Sequence, residues 1–139
     1  MKKFEKINYR KLNARQKENY NYHKVSSILA DYGFSSIRLS DDWQSADFIA
    51  QHYKDKTFLK VQLKGRLVID KKYMNKNIWI CFRIKKNLYL YPHDEIMDYI
   101  VANSPTNISN TISWGKRGLY SWPTIPRWVL KFLDQYKLD

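Results

Sequence analysis

Between Thr57 and Arg66 the chain alternates. Leu59, Val61 and Leu63 fall on one side, and Phe58, Lys60, Gln62, Lys64 and Arg66 on the other. A period of two places successive side chains on opposite faces of a strand, so this segment predicts a β-strand with one buried face. Upstream, Asn13 followed by Gln16 forms a capping-box signature and Gly33 a C-terminal stop, with Ala14, Val25, Ile28, Leu29 and Tyr32 as the apolar stripe of the helix between them. Phe34–Leu39 reads as a short strand, Asp41-Asp42-Trp43-Gln44-Ser45 as a turn, and Ala46–Ala50 as a second strand. Ile78–Ile84 and Leu88–Tyr91 form a hairpin about Lys85-Lys86-Asn87. Pro92 ends it, and Asp94 caps a helix running to about Ala102. Residues 103–125 look irregular. Pro126 opens a last helix with Val129, Leu130, Leu133 and Tyr136 on one face. The order predicts an α/β or α+β fold: a mostly antiparallel or mixed sheet flanked by helices.

At 139 residues the chain has the length of one domain, 1–139, and its 44% hydrophobic content suffices for a core. Its charge is lopsided, with 25 Lys and Arg against 13 Asp and Glu, a formal +12. Residues 1–24 carry eight basic and two acidic side chains, and residues 54–87 carry eleven and two. The stretch between them holds one basic residue and four acidic ones, including Asp41, Asp42 and Asp47. Such an excess opposes compaction by self-repulsion and is the usual footprint of a polyanionic partner. A lone cysteine, Cys81, excludes an internal disulfide and fits a buried small hydrophobe. With no secretory leader pattern and no long apolar run, the chain reads as soluble and cytoplasmic.

Asp47 precedes the run Gln62-Leu63-Lys64 by fifteen positions. Phosphodiester hydrolysis calls for a hard divalent cation on oxygen ligands, at least one of them anionic, and for a positive group near the attacked phosphate. Asp47 offers the anion, Gln62 an amide oxygen, and Lys64 an ammonium on the same strand face as Gln62. If the Asp47 strand lies beside that strand, the three heads converge. Glu18 lies seven residues before Val25, on the apolar stripe of the first helix, where a carboxylate needs a cation or Lys64 as partner.

Asp47, the spacing and Gln62-Leu63-Lys64 resemble the active-site signature of the PD-(D/E)XK nuclease superfamily, with its restriction-endonuclease-like fold. The Gln variant at the second acidic position is similar to that of methyl-directed restriction endonucleases, and Glu18 resembles the extra helical acid of archaeal Holliday-junction resolvases. The resemblance implies a helix, a three- or four-stranded mixed sheet and a second helix across residues 13–102. It also implies DNA cleavage dependent on Mg2+ (or Mn2+), with Asp47, Gln62 and the Leu63 carbonyl as metal ligands, Lys64 catalytic and Glu18 assisting. A homodimer would let such a small nuclease cut both strands. Three features depart from the pattern: Ala46 stands where the signature has proline, Gln62 lacks a carboxylate's charge, and no helix is evident in residues 67–77.

Lys60 and Arg66 share the Lys64 face and are the first candidates for phosphate contact, with Lys71 and Lys72 next and Trp43 for stacking on a base. Plainer readings stand beside these. Gln62 and Lys64 suit the solvent face of an edge strand, Asp47 suits a turn, and Glu18 suits surface pairing with Tyr22 or Lys24. His23, His52 and His93 have no metal-ligand spacing, and most of the aromatic residues belong to a core. Two other functions therefore remain open: a nucleic-acid-binding module that keeps the fold without cutting, and an interaction protein whose positive face meets an acidic partner.

Overall fold

Asn13 accepts the main-chain N–H of Gln16, and the Gln16 side chain accepts that of Asn13, both at 2.9 Å. This reciprocal cap starts helix α1 (Ala14–Asp31) where the sequence places it. The computed structural model describes residues 1–139, apart from the side chains of residues 42 and 43. The face that α1 buries is Tyr22, Val25 and Leu29, with Ile28 partly covered. Ala14 and Tyr32, expected on the stripe, lie at the helix ends and are exposed. Gly33, at φ +85°, then turns the chain into the sheet.

Strand β1 (Phe34–Trp43) runs through the segment expected to turn, and the reversal occurs at Gln44 and Ser45, with φ of 49° and 67°. Two successive left-handed residues suit the twist of a two-residue hairpin, but Gln-Ser lacks the Asn-Gly signal that normally announces one. β2 (Ala46–His52) and β3 (Phe58–Lys64) continue the antiparallel meander. β3 stops at Lys64, two residues short of the sequence expectation. β4 (Leu67–Asp70) and a 3-10 turn at Lys71–Tyr73 lead to β5 (Ile78–Ile84), which pairs with β3 in parallel. β6 (Asn87–Pro92) returns as the expected hairpin, and helix α2 (His93–Asn103) follows. Its N-cap is Pro92 rather than Asp94. Residues 103–125, expected to be irregular, include a 3-10 turn, a wide turn at Ile112–Arg117 and β7 (Leu119–Trp122). Helix α3 (Arg127–Leu133) and the short β8 (Lys137–Leu138) complete the chain.

The main sheet has the order β1-β2-β3-β5-β6-β8, while β4 and β7 pair in a separate two-stranded sheet. This is a mixed α+β fold, as the order of elements in the sequence predicts: a helix, an antiparallel meander, a parallel neighbour and a second helix, on a sheet of six strands rather than three or four. α1 covers one sheet face, packing Tyr22, Val25 and Leu29 with Phe48, Ala50, Val61, Cys81 and Leu88. On the opposite side, β4, α2 and α3 bury Leu67, Ile69, Tyr73, Ile80, Phe82, Tyr91, Ile96 and Leu133. Fully burying a side chain such as Leu29 or Ile80 contributes about 2 kcal/mol each.

Polar groups fasten this second layer. His93 is fully buried; its Nε2 accepts the Asp70 main-chain N–H at 2.9 Å, which leaves Nδ1–H to donate to Asp94 at 2.9 Å. The Tyr91 hydroxyl donates to the Val68 carbonyl at 2.8 Å and accepts from the Val68 N–H at 3.3 Å. β4 is thereby tied to β6 and to the start of α2.

Candidate active site

β2 and β3 pair from Gln51 opposite Phe58 to Phe48 opposite Val61. One residue further along β2, the Asp47 side chain takes over from the backbone ladder: its Oδ2 accepts the Leu63 main-chain N–H at 2.8 Å. The two strands thus separate around a carboxylate. A strand residue sends its N–H and C=O toward the same edge, so the Leu63 carbonyl also faces the fork. Continuing the register sets Asp47 opposite Gln62, on the sheet face away from Val61.

Gln62 Oε1 is buried and has no hydrogen-bond partner. An acceptor in that state costs free energy unless something positive meets it. Lys64, the next residue on this face, is half-buried, with its Nζ 5.5 Å from the centre of the Tyr73 ring. Tyr73 itself is 1% exposed and packs edge-on to His93.

Asp47, Gln62, Leu63 and Lys64 line one cleft of about 1100 Å³, and Glu18 lines it as well. Glu18 is exposed rather than buried: it lies one helical turn before Tyr22, on the first half of α1, which supplies several residues of the cleft wall. The four residues singled out by sequence are therefore brought together, but from two layers.

The basic lining differs from the expected one. Arg15 and Lys17 come from α1, Arg38 from β1, and Arg83 and Lys85 from the β5–β6 hairpin. With Lys64 they outnumber Glu18, Asp41 and Asp47, the acidic residues of the same wall. Arg38 is held in place by a hydrogen bond to Asn19 and by the Tyr22 ring, 5.3 Å away. Lys17 lies 5.5 Å from the centre of the Tyr9 ring, whose hydroxyl accepts from Asn21 at 2.9 Å.

Lys60, Arg66, Lys71 and Lys72 do not line this cleft. Lys60 Nζ donates to Gln44 at 3.2 Å in a smaller hollow shared with Lys76. Arg66 lies past the end of β3, Lys71 sits over Trp114, and Lys72 pairs with Asp70 at 3.7 Å. The Trp43 side chain falls outside the described residues. The basic blocks of the sequence do contain Arg15, Lys17, Arg83 and Lys85, but nothing in the local pattern separates them from their neighbours. Arg38, alone in an acidic stretch, gives no signal at all.

Among the described residues, no three His, Cys, Asp or Glu side chains lie together as a metal site. The donors that meet at the β2–β3 fork are instead all oxygen: the Asp47 carboxylate, the orphaned amide Oε1 of Gln62 and the Leu63 carbonyl. That set suits a hard cation such as Mg2+, which keeps several of its waters and needs only one or two carboxylates. Among the described residues, no helix is long and apolar enough to cross a membrane.

No family model and no curated protein sequence matches the chain. Among solved structures it is similar to that of Archaeoglobus fulgidus Hjc, a Holliday junction resolvase from an archaeal hyperthermophile. The two are 16% identical with a TM-score of 0.44, over 53% of this chain and 76% of the other.

Proposed function

We propose that the protein is a metal-dependent nuclease that hydrolyses DNA phosphodiester bonds in the cleft between α1 and the β2–β3 fork. The observation that carries this reading is the pairing of a carboxylate with an unpartnered buried amide oxygen, Asp47 with Gln62, inside a cleft whose charged lining is otherwise mainly basic. Asp47, Gln62 and the Leu63 carbonyl would hold Mg2+ or Mn2+. When bound, the cation would polarise a non-bridging phosphate oxygen and acidify the attacking water.

The protein's own groups do the rest. Asp47, fixed by the Leu63 N–H, holds its anionic charge at the fork. Lys64, seated over Tyr73, orients the water and offsets the charge that grows on the phosphate as the new P–O bond forms and the bond to the leaving sugar oxygen breaks. Glu18, from the first half of α1, faces the same space and receives a proton or a hydrated cation. Arg15, Lys17, Arg83 and Lys85 hold the flanking backbone.

One observation favours a second reading, a module that binds nucleic acid without cutting it: the neutral Gln62 stands where a second carboxylate would strengthen metal binding. The test is incubation of the protein with plasmid, branched and single-stranded DNA in Mg2+, Mn2+ or EDTA. Metal-dependent cleavage lost in Asp47→Ala and Lys64→Ala supports the nuclease. Tight binding with no cleavage under any of these conditions supports the module.

A further inference from the structure

Of the four glycines, three answer to the fold. Gly33 and Gly118 have φ of +85° and +73°, and a Cβ on Gly115 would come 2.4 Å from the Ser109 carbonyl oxygen. Gly65 has neither reason: its φ lies outside the left-handed region, and a Cβ built there would meet nothing within 4 Å. A glycine in such a place costs conformational entropy without relieving strain or crowding inside the molecule.

Its surroundings supply an external reason. Gly65 lines the cleft directly after Lys64, at the point where β3 ends. The parallel register sets Lys64 beside Phe82, so Gly65 lies next to Arg83, another residue of the cleft wall, with Lys85 just beyond. Glycine is the usual residue where a main chain must come close to a ligand, and a phosphate flanked by basic side chains is the ligand this wall suits. We propose that the sugar-phosphate backbone of the substrate crosses the main chain at Gly65, in the space a side chain would fill, between Lys64 and the Arg83–Lys85 wall. This rests on the cleft being the nucleic-acid site proposed above.

The test compares Gly65→Ala and Gly65→Val with the wild type in three measurements: thermal unfolding, Mn2+ titration by calorimetry, and affinity for labelled duplex and branched DNA oligonucleotides by fluorescence anisotropy in EDTA. Thermal stability is expected to stay at or slightly above the wild-type level, and Mn2+ affinity at that level. DNA affinity should fall about tenfold for valine, the loss of a close charged contact, and less for alanine. Wild-type affinity in both variants overturns the proposal, as does a loss of affinity that tracks a loss of stability. If Gly65→Val folds poorly, Gly65→Ala carries the decision, because its Cβ meets open space. A wild-type protein that binds DNA but never cuts it removes the hydrolytic reading while leaving the Gly65 comparison valid; one that binds no DNA removes both.

Discussion

Asp47 Oδ2 and the main-chain nitrogen of Leu63 lie 2.8 Å apart, so a single carboxylate both closes the gap between two strands and faces the cleft. The two roles separate by mutation. Asp47→Asn retains an acceptor for Leu63 while deleting the charge. Its stability should stay close to wild type, while cleavage falls on the order of 100-fold or more. Asp47→Ala also strands the Leu63 N–H and should cost a further ~1–2 kcal/mol in urea denaturation. Equal stability losses in both variants would show that charge, not the hydrogen bond, holds the fork.

Gln62 offers the opposite trade. Gln62→Leu removes an unpartnered buried acceptor, so the metal-free protein should be as stable as wild type or more so, while Mn2+ affinity declines. Gln62→Glu places a second carboxylate opposite Asp47 and should tighten Mn2+ binding about tenfold, at the expense of metal-free stability through like-charge repulsion. Calorimetric titration and unfolding in EDTA read both quantities. Unchanged Mn2+ affinity in both variants removes Gln62 from the metal site.

His93 makes stability depend on pH. Burial holds its pKa below the ordinary value, against the upward pull of Asp94, Asp70 and Asp98. The unfolded chain therefore takes up this proton more readily than the folded one. The contribution is complete above the unfolded value of about 6.5 and is lost as pH falls from there through the lower folded value. Urea midpoints should drop between neutral pH and mildly acidic pH, and a His93→Gln variant should show a flatter profile below pH 7.

Salt separates the cleft lysines and arginines from the others. Arg83→Ala and Lys85→Ala should each lower the slope of log affinity against log salt by about one for duplex DNA. Lys72→Ala, whose ammonium already faces Asp70, should change it little. Anisotropy titrations across a salt series give these slopes. A DNA affinity that ignores salt favours an acidic protein as the partner of the positive face.

The parts legible in the sequence were those fixed by local chemistry. The Asn13–Gln16 cap, the alternation through Leu59, Val61 and Leu63, and the β5–β6 hairpin each depend on neighbours within a few residues. The Asp47, Gln62 and Lys64 spacing was legible because antiparallel pairing of two adjacent strands converts it into proximity. β4 was not: Leu67-Val68-Ile69-Asp70 is buried throughout, shows no period, and pairs with Leu119–Trp122 from far along the chain. The basic wall was hidden for the same reason. Arg15, Arg38 and Arg83 line one opening only because the start of α1, the middle of β1 and the end of β5 border it, and no window of sequence contains that fact.

The connection from β3 to β5 runs through β4 and the Lys71–Tyr73 turn, so the ring beneath Lys64 sits on a layer completed by β7. Order of assembly follows from this. A nascent chain that has emerged only as far as Asp70 already carries every motif residue, yet it lacks Tyr73, and β4 lacks its strand partner until Leu119–Trp122 follows some fifty positions later. On the proposed reading the cleft thus depends on the last third of the polypeptide, and mutations that loosen Leu119–Trp122, the partner of β4, should weaken it from a distance.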